Sequence, residues 1–224
     1  MRSHLTPHAS LKHFFSFFQH QIILALSFLL LSPFTLSAQD STTTNLSIVA
    51  VGDMMIGTNF PSDAYLPPRD GAEIFSQIKT QLSDADVTFG NLEGVILTED
   101  YPTTKKCQNP KNCYAFKMPD HYVAHFKDAG FDLLSIANNH INDFGEIGIR
   151  NTTKLLQDAG IHFAGVTDYP TTIFEVHDLT IGFCAFSPNR GTVSINDLAL
   201  AKKIVQELDS KVDVVIVSFH GGGE

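Results

Sequence analysis

Residues 131–145 read Phe131-Asp132-Leu133-Leu134-Ser135-Ile136-Ala137-Asn138-Asn139-His140-Ile141-Asn142-Asp143-Phe144-Gly145. Phe131 to Ile136 is a short apolar run that predicts a buried parallel strand. Amides, an imidazole and a carboxylate follow at once, so the chain delivers them together at the carboxyl end of a strand. Open α/β sheets build their sites there. Amide and carboxylate oxygens suit a hard or borderline divalent cation, and a neighbouring histidine can ligate it or move protons. A metal-assisted hydrolytic site is therefore the first expectation.

The flanking sequence fits that fold class. Residues 46–51 and 86–90 read as buried strands. Between them, residues 72–82 place Ile74, Phe75, Ile78 and Leu82 on one helical face. Residues 94–117 form a long, turn-rich excursion, the natural place for a substrate-facing loop. A short helix over 120–129 stops at Gly130, and a longer one over 146–159 stops at Gly160. Residues 161–165 read as a strand, and 173–176 and 181–186 as a hairpin joined by 177–180. A helix over 196–208 precedes a buried strand, 213–219, that ends in His220. Strands alternating with helices give an α/β class with a mainly parallel or mixed sheet. Residues 220–224 leave the end of a core strand with no helix to follow, which predicts that the architecture is truncated at its C-terminus.

Arg2 and Lys12 precede a nearly continuous apolar run over 22–31, and Leu36-Ser37-Ala38 has the small-residue pattern of signal-peptide cleavage. Residues 1–38 read as a signal peptide, 39–45 as a polar linker and 46–224 as one domain. An uncleaved anchor stays open, although the run is shorter than the ~20 residues that span a bilayer unless residues 14–18 join it. The chain is periplasmic or secreted on this reading. The leader holds two basic and no acidic residues, so its removal moves the net charge from −9 to −11. Such a surface repels nucleic acid, and it repels an anionic polymer unless a bound cation reverses the local field. Cys107 and Cys113 flank Gln108-Asn109-Pro110-Lys111-Asn112 and could close a small loop as a disulfide in an oxidising compartment. Two free thiols or a metal pair are also compatible with C-x5-C. Cys184 sits in an apolar run and reads as a buried hydrophobe.

Four strand ends now carry polar groups: Asp53 in Gly52-Asp53-Met54-Met55; Asn91 and Glu93 in Gly90-Asn91-Leu92-Glu93-Gly94; Asn138, Asn139, His140 and Asp143; and His220. Singly, each has an ordinary explanation. Asp53 and Asn91 could cap the next element, Glu93 could be solvated, and either histidine could be structural. Jointly, bunched carboxylates would repel and raise each other's pKa, whereas one or two cations make them ligands.

In order and spacing these four motifs, with Val217-Ser218-Phe219-His220-Gly221 as the last, resemble the CapA family. Its members are poly-γ-glutamate capsule biosynthesis proteins, a branch of the calcineurin-like metallophosphoesterases, and the resemblance runs over roughly residues 46–224. It implies a four-layer α/β/β/α sandwich with one or two divalent cations at the strand ends, the choice among Mn, Mg, Zn and Fe left open. It further implies that Asp53, Asn91, Glu93, Asn139 and His220 are the metal-binding positions. His140 would assist leaving-group protonation. From the residues themselves, Asp143 reads as an orienting partner for His140, Asn138 as a substrate-facing amide, and Arg190, in the loop after another strand, as either a clamp on an anionic group or a solvated loop arginine. Three departures stand out. Met55 replaces a histidine ligand of the wider superfamily, Asn91 replaces the usual aspartate, and the late Gly-His-x-His-type loop has no counterpart.

The resemblance therefore implies an extracytoplasmic protein of capsule polymer synthesis or export, working as a metal-dependent hydrolase. A periplasmic phosphoesterase acting on a small phosphoester and a non-catalytic assembly factor are the alternatives. The expected partners are an anionic polymer or a small phosphoester, together with membrane proteins of capsule export and no nucleic acid.

Overall fold

The computed structural model describes residues 45–106 and 113–221. The leader expected over 1–38, nearly all of the linker, Cys107 and the last three residues lie outside them.

Among the described residues nine strands form two principal sheets and a small ribbon. Ile48–Met54 (β1), Val87–Leu92 (β2), Leu133–Ser135 (β5) and His162–Ala164 (β6) make a four-stranded sheet in the order β1-β2-β5-β6. All of its pairings are parallel. Val95–Ile96 (β3) and Lys117–Met118 (β4) make the ribbon. Thr171–Val176 (β7), Leu179–Phe186 (β8) and Val214–Phe219 (β9) make the second sheet, with β7 antiparallel and β9 parallel to β8. The helices are Lys79–Ser83 (α1), Val123–Ala129 (α2), Gly145–Asp158 (α3) and Leu198–Asp209 (α4). None among the described residues is long and apolar enough to cross a membrane.

Side-chain alternation along the strands stacks these elements into four layers. On one face of the first sheet Leu92, Leu134 and Phe163 pack with Leu82 of α1, Phe126 of α2 and Leu156 of α3. From the opposite face Val87, Leu133 and Ala164 meet Phe174, Ile181, Phe183 and Ala185 of the second sheet. The residues of β8 between those, Cys184 and Phe186, face the other way and pack with Ala201 and Leu208 of α4. The order is thus α/β/β/α, and the period-2 geometry of strands produces it, because each central strand must be apolar on both faces. Gly182 permits the outer contact: a Cβ there would lie 2.7 Å from Leu208 Cγ.

The elements follow the sequence reading with two adjustments. The helix expected over 72–82 is a correction, since residues 72–78 run as successive turns and only α1 is α-helical. Phe75 and Leu82 pack on the core, but Ile74 and Ile78 remain exposed, so only half of the apolar stripe has a partner surface to hold a longer helix in place. The hairpin is tighter than 177–180, with strands closing to Val176 and Leu179 around His177, which takes φ +54°. Elsewhere local signals decide. Gly130 ends α2 in the left-handed conformation, and the Asp197 carboxylate caps α4 by accepting from the Leu200 N–H at 3.0 Å.

His162, at the start of β6, stacks on Phe174 of the second sheet with ring centroids 4.4 Å apart. Desolvation there holds its imidazole below the ordinary value of 6.5, against the opposing pull of Asp132. As pH falls below about 6.5 the unfolded chain takes up this proton before the folded one does, so stability declines down to the lower folded pKa. His162→Phe should therefore flatten the acid-side loss. The check is the change in urea midpoint between about pH 7.5 and pH 5, which should be smaller in the variant than in the parent. An identical slope in both would remove His162 from the account.

Candidate functional site

The carboxyl ends of both sheets meet on the inter-sheet side. In β1 the register slips between Ala50, opposite Phe89, and Asp53, opposite Asn91. Three residues thus advance against two, a bulge that turns Asp53 to the same side as Asn91. Val214 and Ile216 of β9 also face the first sheet, so the strand period carries His220 to that side. The His220 N–H continues the ladder to Phe186 O at 3.0 Å.

These backbone placements bring four side chains into one cluster. The Asn91 amide Nδ2 donates to Asp53 Oδ1 at 2.7 Å and lies 3.2 Å from His220 Nδ1. Asp53 Oδ1 and His220 Nδ1 are 3.4 Å apart, and His220 Nε2 lies 3.0 Å from Asn139 Oδ1. Asn139 Oδ1 can only accept, so His220 carries its proton on Nε2 and presents Nδ1 as an acceptor to Asn91. The Asp53 side chain is 52% exposed against 16% for His220, so the cluster opens to solvent on the β1 side.

A second group adjoins it through the loop after β5. His140 is buried, with Nδ1 donating to Asp143 Oδ2 at 2.7 Å and Nε2 lying 3.7 Å from Glu93 Oε1. Asp143, only 2% exposed, also accepts the Phe116 N–H at 2.9 Å and pairs through Oδ1 with Lys105 Nζ at 3.3 Å. Phe116 stacks on the His140 ring at 4.1 Å. Gly94 makes that stacking possible. It adopts φ +105°, and a Cβ on it would come within 2.9 Å of Phe116 Cβ and O. The Asp143 carbonyl accepts from Thr104 N at 2.8 Å and Thr103 Oγ1 at 2.7 Å, which fixes the segment that delivers Lys105.

Each expected site residue can now be located. Asp53, Asn91, Asn139 and His220 converge; Glu93 lies on the His140 side, and His140 and Asp143 pair as anticipated. Asn138 is a correction. It is fully buried, its Nδ2 donates to Leu92 O at 2.7 Å and Asn91 Oδ1 at 3.3 Å, and its Oδ1 accepts the His140 N–H at 3.0 Å. It braces Asn91 and His140 and is closed to substrate. Arg190 is exposed and, with Lys105, Lys106, Thr104, Asn139, Asn142, Asp143 and Asn189, lines a cleft of about 330 Å³. Cys113 is disulfide-bonded and Cys184 is free and buried, its thiol pushed up to about 11 by burial. Cys107 lies outside the described residues.

Lys105 and Phe116 were missed. They reach the site from the excursion between β2 and β4, where nothing local in the sequence signals a partner for His140 or Asp143.

The donor set accepts a divalent cation in part. Among the described residues no three His, Cys, Asp or Glu side chains group tightly enough to hold one alone, so amide oxygens must complete any site. Donors each about 2.1 Å from one metal sit roughly 3.0–3.4 Å apart, which the Asp53 Oδ1–His220 Nδ1 separation of 3.4 Å matches. Asn91 turns Nδ2 toward these two acceptors, and an amide flip would offer them Oδ1 instead. Asn139 Oδ1 lies at Nε2, on the opposite edge of the His220 ring, so the donors that fit one cation as placed are Asp53 Oδ1 and His220 Nδ1, joined by Asn91 after that flip.

The profile of the family described as Bacterial capsule synthesis protein PGA_cap matches residues 47–224. The capsule biosynthesis protein CapA of Bacillus anthracis is 29% identical over 199 residues, covering 80% of this chain and 47% of that protein. The uncharacterised protein y4sH of Sinorhizobium fredii is 34% identical over 131 residues, covering 56% of this chain and 26% of that protein. The chain thus spans about half, or less, of the length of these curated relatives. A crystal structure of a phosphatase from Mycoplasma pneumoniae aligns with TM-score 0.48 at 15% identity, over 80% of this chain and 57% of that one.

Asp143→Ala should leave the Phe116 N–H and the His140 Nδ1–H without an acceptor and Lys105 without its counter-charge. Losing one partner of a buried pair costs about 3 kcal/mol, whereas Asp143→Asn, which keeps an acceptor, should cost about half as much. Urea unfolding of the two variants measures this. Equal stabilities would show that Asp143 does not organise the loops.

Proposed function

The chain belongs to the bacterial capsule synthesis protein family, and on that premise we propose that it is an extracytoplasmic, metal-dependent hydrolase acting on an anionic capsule polymer of the poly-γ-glutamate type. One observation carries the reading: Asp53, Asn91, Asn139 and His220 arrive from separate segments at one hydrogen-bonded cluster beside the His140–Asp143 pair. Buried apolar strands gain no packing from such groups at their ends, and their common use is chemistry.

Asp53 and His220 Nδ1 would hold the cation, with Asn91 as a third ligand after its amide turns and Asn139 reaching it only by leaving His220 Nε2. Glu93, on the His140 side, would complete the set by a rotamer change. A bound divalent cation would contribute Lewis-acid activation of water and stabilisation of developing negative charge near neutral pH. The chain's own residues supply the rest. Asp143 fixes the His140 tautomer with the proton on Nδ1, so Nε2 is the atom that gains a proton and passes it to a leaving group. Phe116 covers one face of the ring and restricts water there. The apolar leader pattern over 1–38 and the disulfide at Cys113 both support an oxidising compartment outside the cytoplasm. There the partners would be membrane proteins of capsule export.

The test pairs metal content with turnover. Purified protein supplied with Mn²⁺ or Zn²⁺ should retain metal and cleave γ-linked glutamate polymer. His220→Ala should lose both metal and turnover. His140→Gln should retain metal while turnover falls by about 10²–10⁴-fold. Cleavage of p-nitrophenyl phosphate alone would transfer the reading to a small phosphoester. Absence of metal and of all turnover would leave a non-catalytic assembly factor and overturn the proposal.

A further inference from the structure

The cleft beside His140 concentrates positive charge on a chain whose net charge is −9. Of its eight lining residues three are cations, Lys105, Lys106 and Arg190, against the single carboxylate of Asp143. That carboxylate already bonds His140, Phe116 and Lys105. Among the described residues Lys106 and Arg190 have no carboxylate partner, and both are exposed. Thr104, Asn139, Asn142 and Asn189 make up the rest of the wall. Asn139 belongs to both places, since its Oδ1 meets His220 at 3.0 Å while the residue lines the cleft. A ligand in the cleft would sit directly across Asn139 from the Asp53–His220 cluster.

We infer that the cleft formed by Lys105, Lys106 and Arg190 is a binding subsite for an oxyanion of the substrate, a carboxylate or phosphate carried next to the bond that is broken. The inference rests on the proposed reading of the Asp53–His220 cluster as the reacting centre. Charge decides the ligand class. An acidic protein repels anions except where a local field reverses sign, and clustered cations in a concave wall do that. Arginine offers a planar fork matched to carboxylate or phosphate, and lysine adds a compact point charge. Pre-organisation favours the same use. Lys105 is fixed by Asp143 and by its backbone N–H, which donates to Thr103 Oγ1 at 3.1 Å. Lys106 and Arg190 are left to close on a ligand. A volume of about 330 Å³ suits one small anionic unit, at the lower end of the roughly 300–1,000 Å³ range of ligand pockets.

Binding can be measured without turnover. A fluorescently labelled γ-linked glutamate oligomer is titrated into the protein with Mn²⁺ present and again with EDTA, with inorganic phosphate as competitor. The subsite predicts binding in both conditions and weakening by added salt. It also predicts about tenfold lower affinity for Arg190→Ala, and a further loss for Arg190→Ala combined with Lys106→Ala. Both residues are exposed, so the variants should fold, and circular dichroism confirms it. If the oligomer fails to bind but phosphate protects the parent protein, and not the double variant, against thermal unfolding, the subsite stands with a phosphoester as its source. Equal affinity in parent and variants, or no binding of either anion, overturns it. Oligomer binding that survives in a protein without metal or turnover defeats the hydrolase reading and leaves the subsite intact. Turnover that survives in the double variant with unchanged KM does the reverse.

Discussion

The Asn91 amide is the contact on which the site's architecture turns. Its Nδ2 reaches Asp53 on the neighbouring strand of its own sheet and His220 at the end of a strand in the other sheet. This single group therefore ties the carboxyl ends of the two sheets together. It can do so only because the sheets are held face to face by the apolar layer of Val87, Leu133, Phe183 and Ala185. Burying such a layer contributes roughly 25 cal/mol per Å² of apolar area, far more than any hydrogen bond at its rim. The layer fixes the spacing, and the amide reads it. A shift of one residue in β9 would turn His220 toward α4 and leave Asp53 and Asn91 without an imidazole.

A second constraint organises the loops. Asp143 is a nearly inaccessible carboxylate, and a buried charge is tolerated only when its oxygens are satisfied. Here it takes the Phe116 N–H, the His140 ring and the Lys105 ammonium, while its backbone carbonyl takes Thr103 and Thr104. Residues far apart in sequence are thereby gathered by the need of one group for partners. The same arrangement that orients His140 also places Lys105 in the wall of the cationic cleft, so the imidazole and the cleft share a support.

Much of this was legible in the sequence. The parallel strands announced themselves through apolar runs bounded by glycine and polar residues, and the α3 helix through its 3.6-residue period and terminal glycine. Asp53, Asn91, Asn139 and His220 could be grouped because each follows a strand, and strand ends of one sheet type lie on one side. What escaped was long-range. The bulge in β1 was signalled only by Gly52, a single glycine inside an apolar strand. Asn138 was expected at the substrate and Asn139 at the metal, but the turn sends Asn138 inward to Leu92 and Asn139 to His220. Lys105 and Phe116 lie 35 and 24 residues from His140, in an excursion whose path depends on tertiary contacts. The stretch over 72–82 shows the opposite failure: its periodicity was helical, but no surface received Ile74 and Ile78.

The substitution of amide for carboxylate at Asn91 has a physical consequence. With an aspartate there, its carboxylate and that of Asp53 would lie in hydrogen-bond range of each other and would need a cation or a proton to coexist. The Asn91 N–H instead satisfies Asp53 directly, so the cluster is self-consistent on hydrogen bonds alone. A cation entering this site would have to displace the Asn91 donor from both Asp53 and His220 and turn its oxygen inward, against the Asn138 N–H that now holds that oxygen. Ligation there would therefore be coupled to breaking an ordered network, at a cost in affinity relative to an all-carboxylate site. Asn138, fully buried, thus holds Asn91 in the orientation that donates to Asp53 and His220.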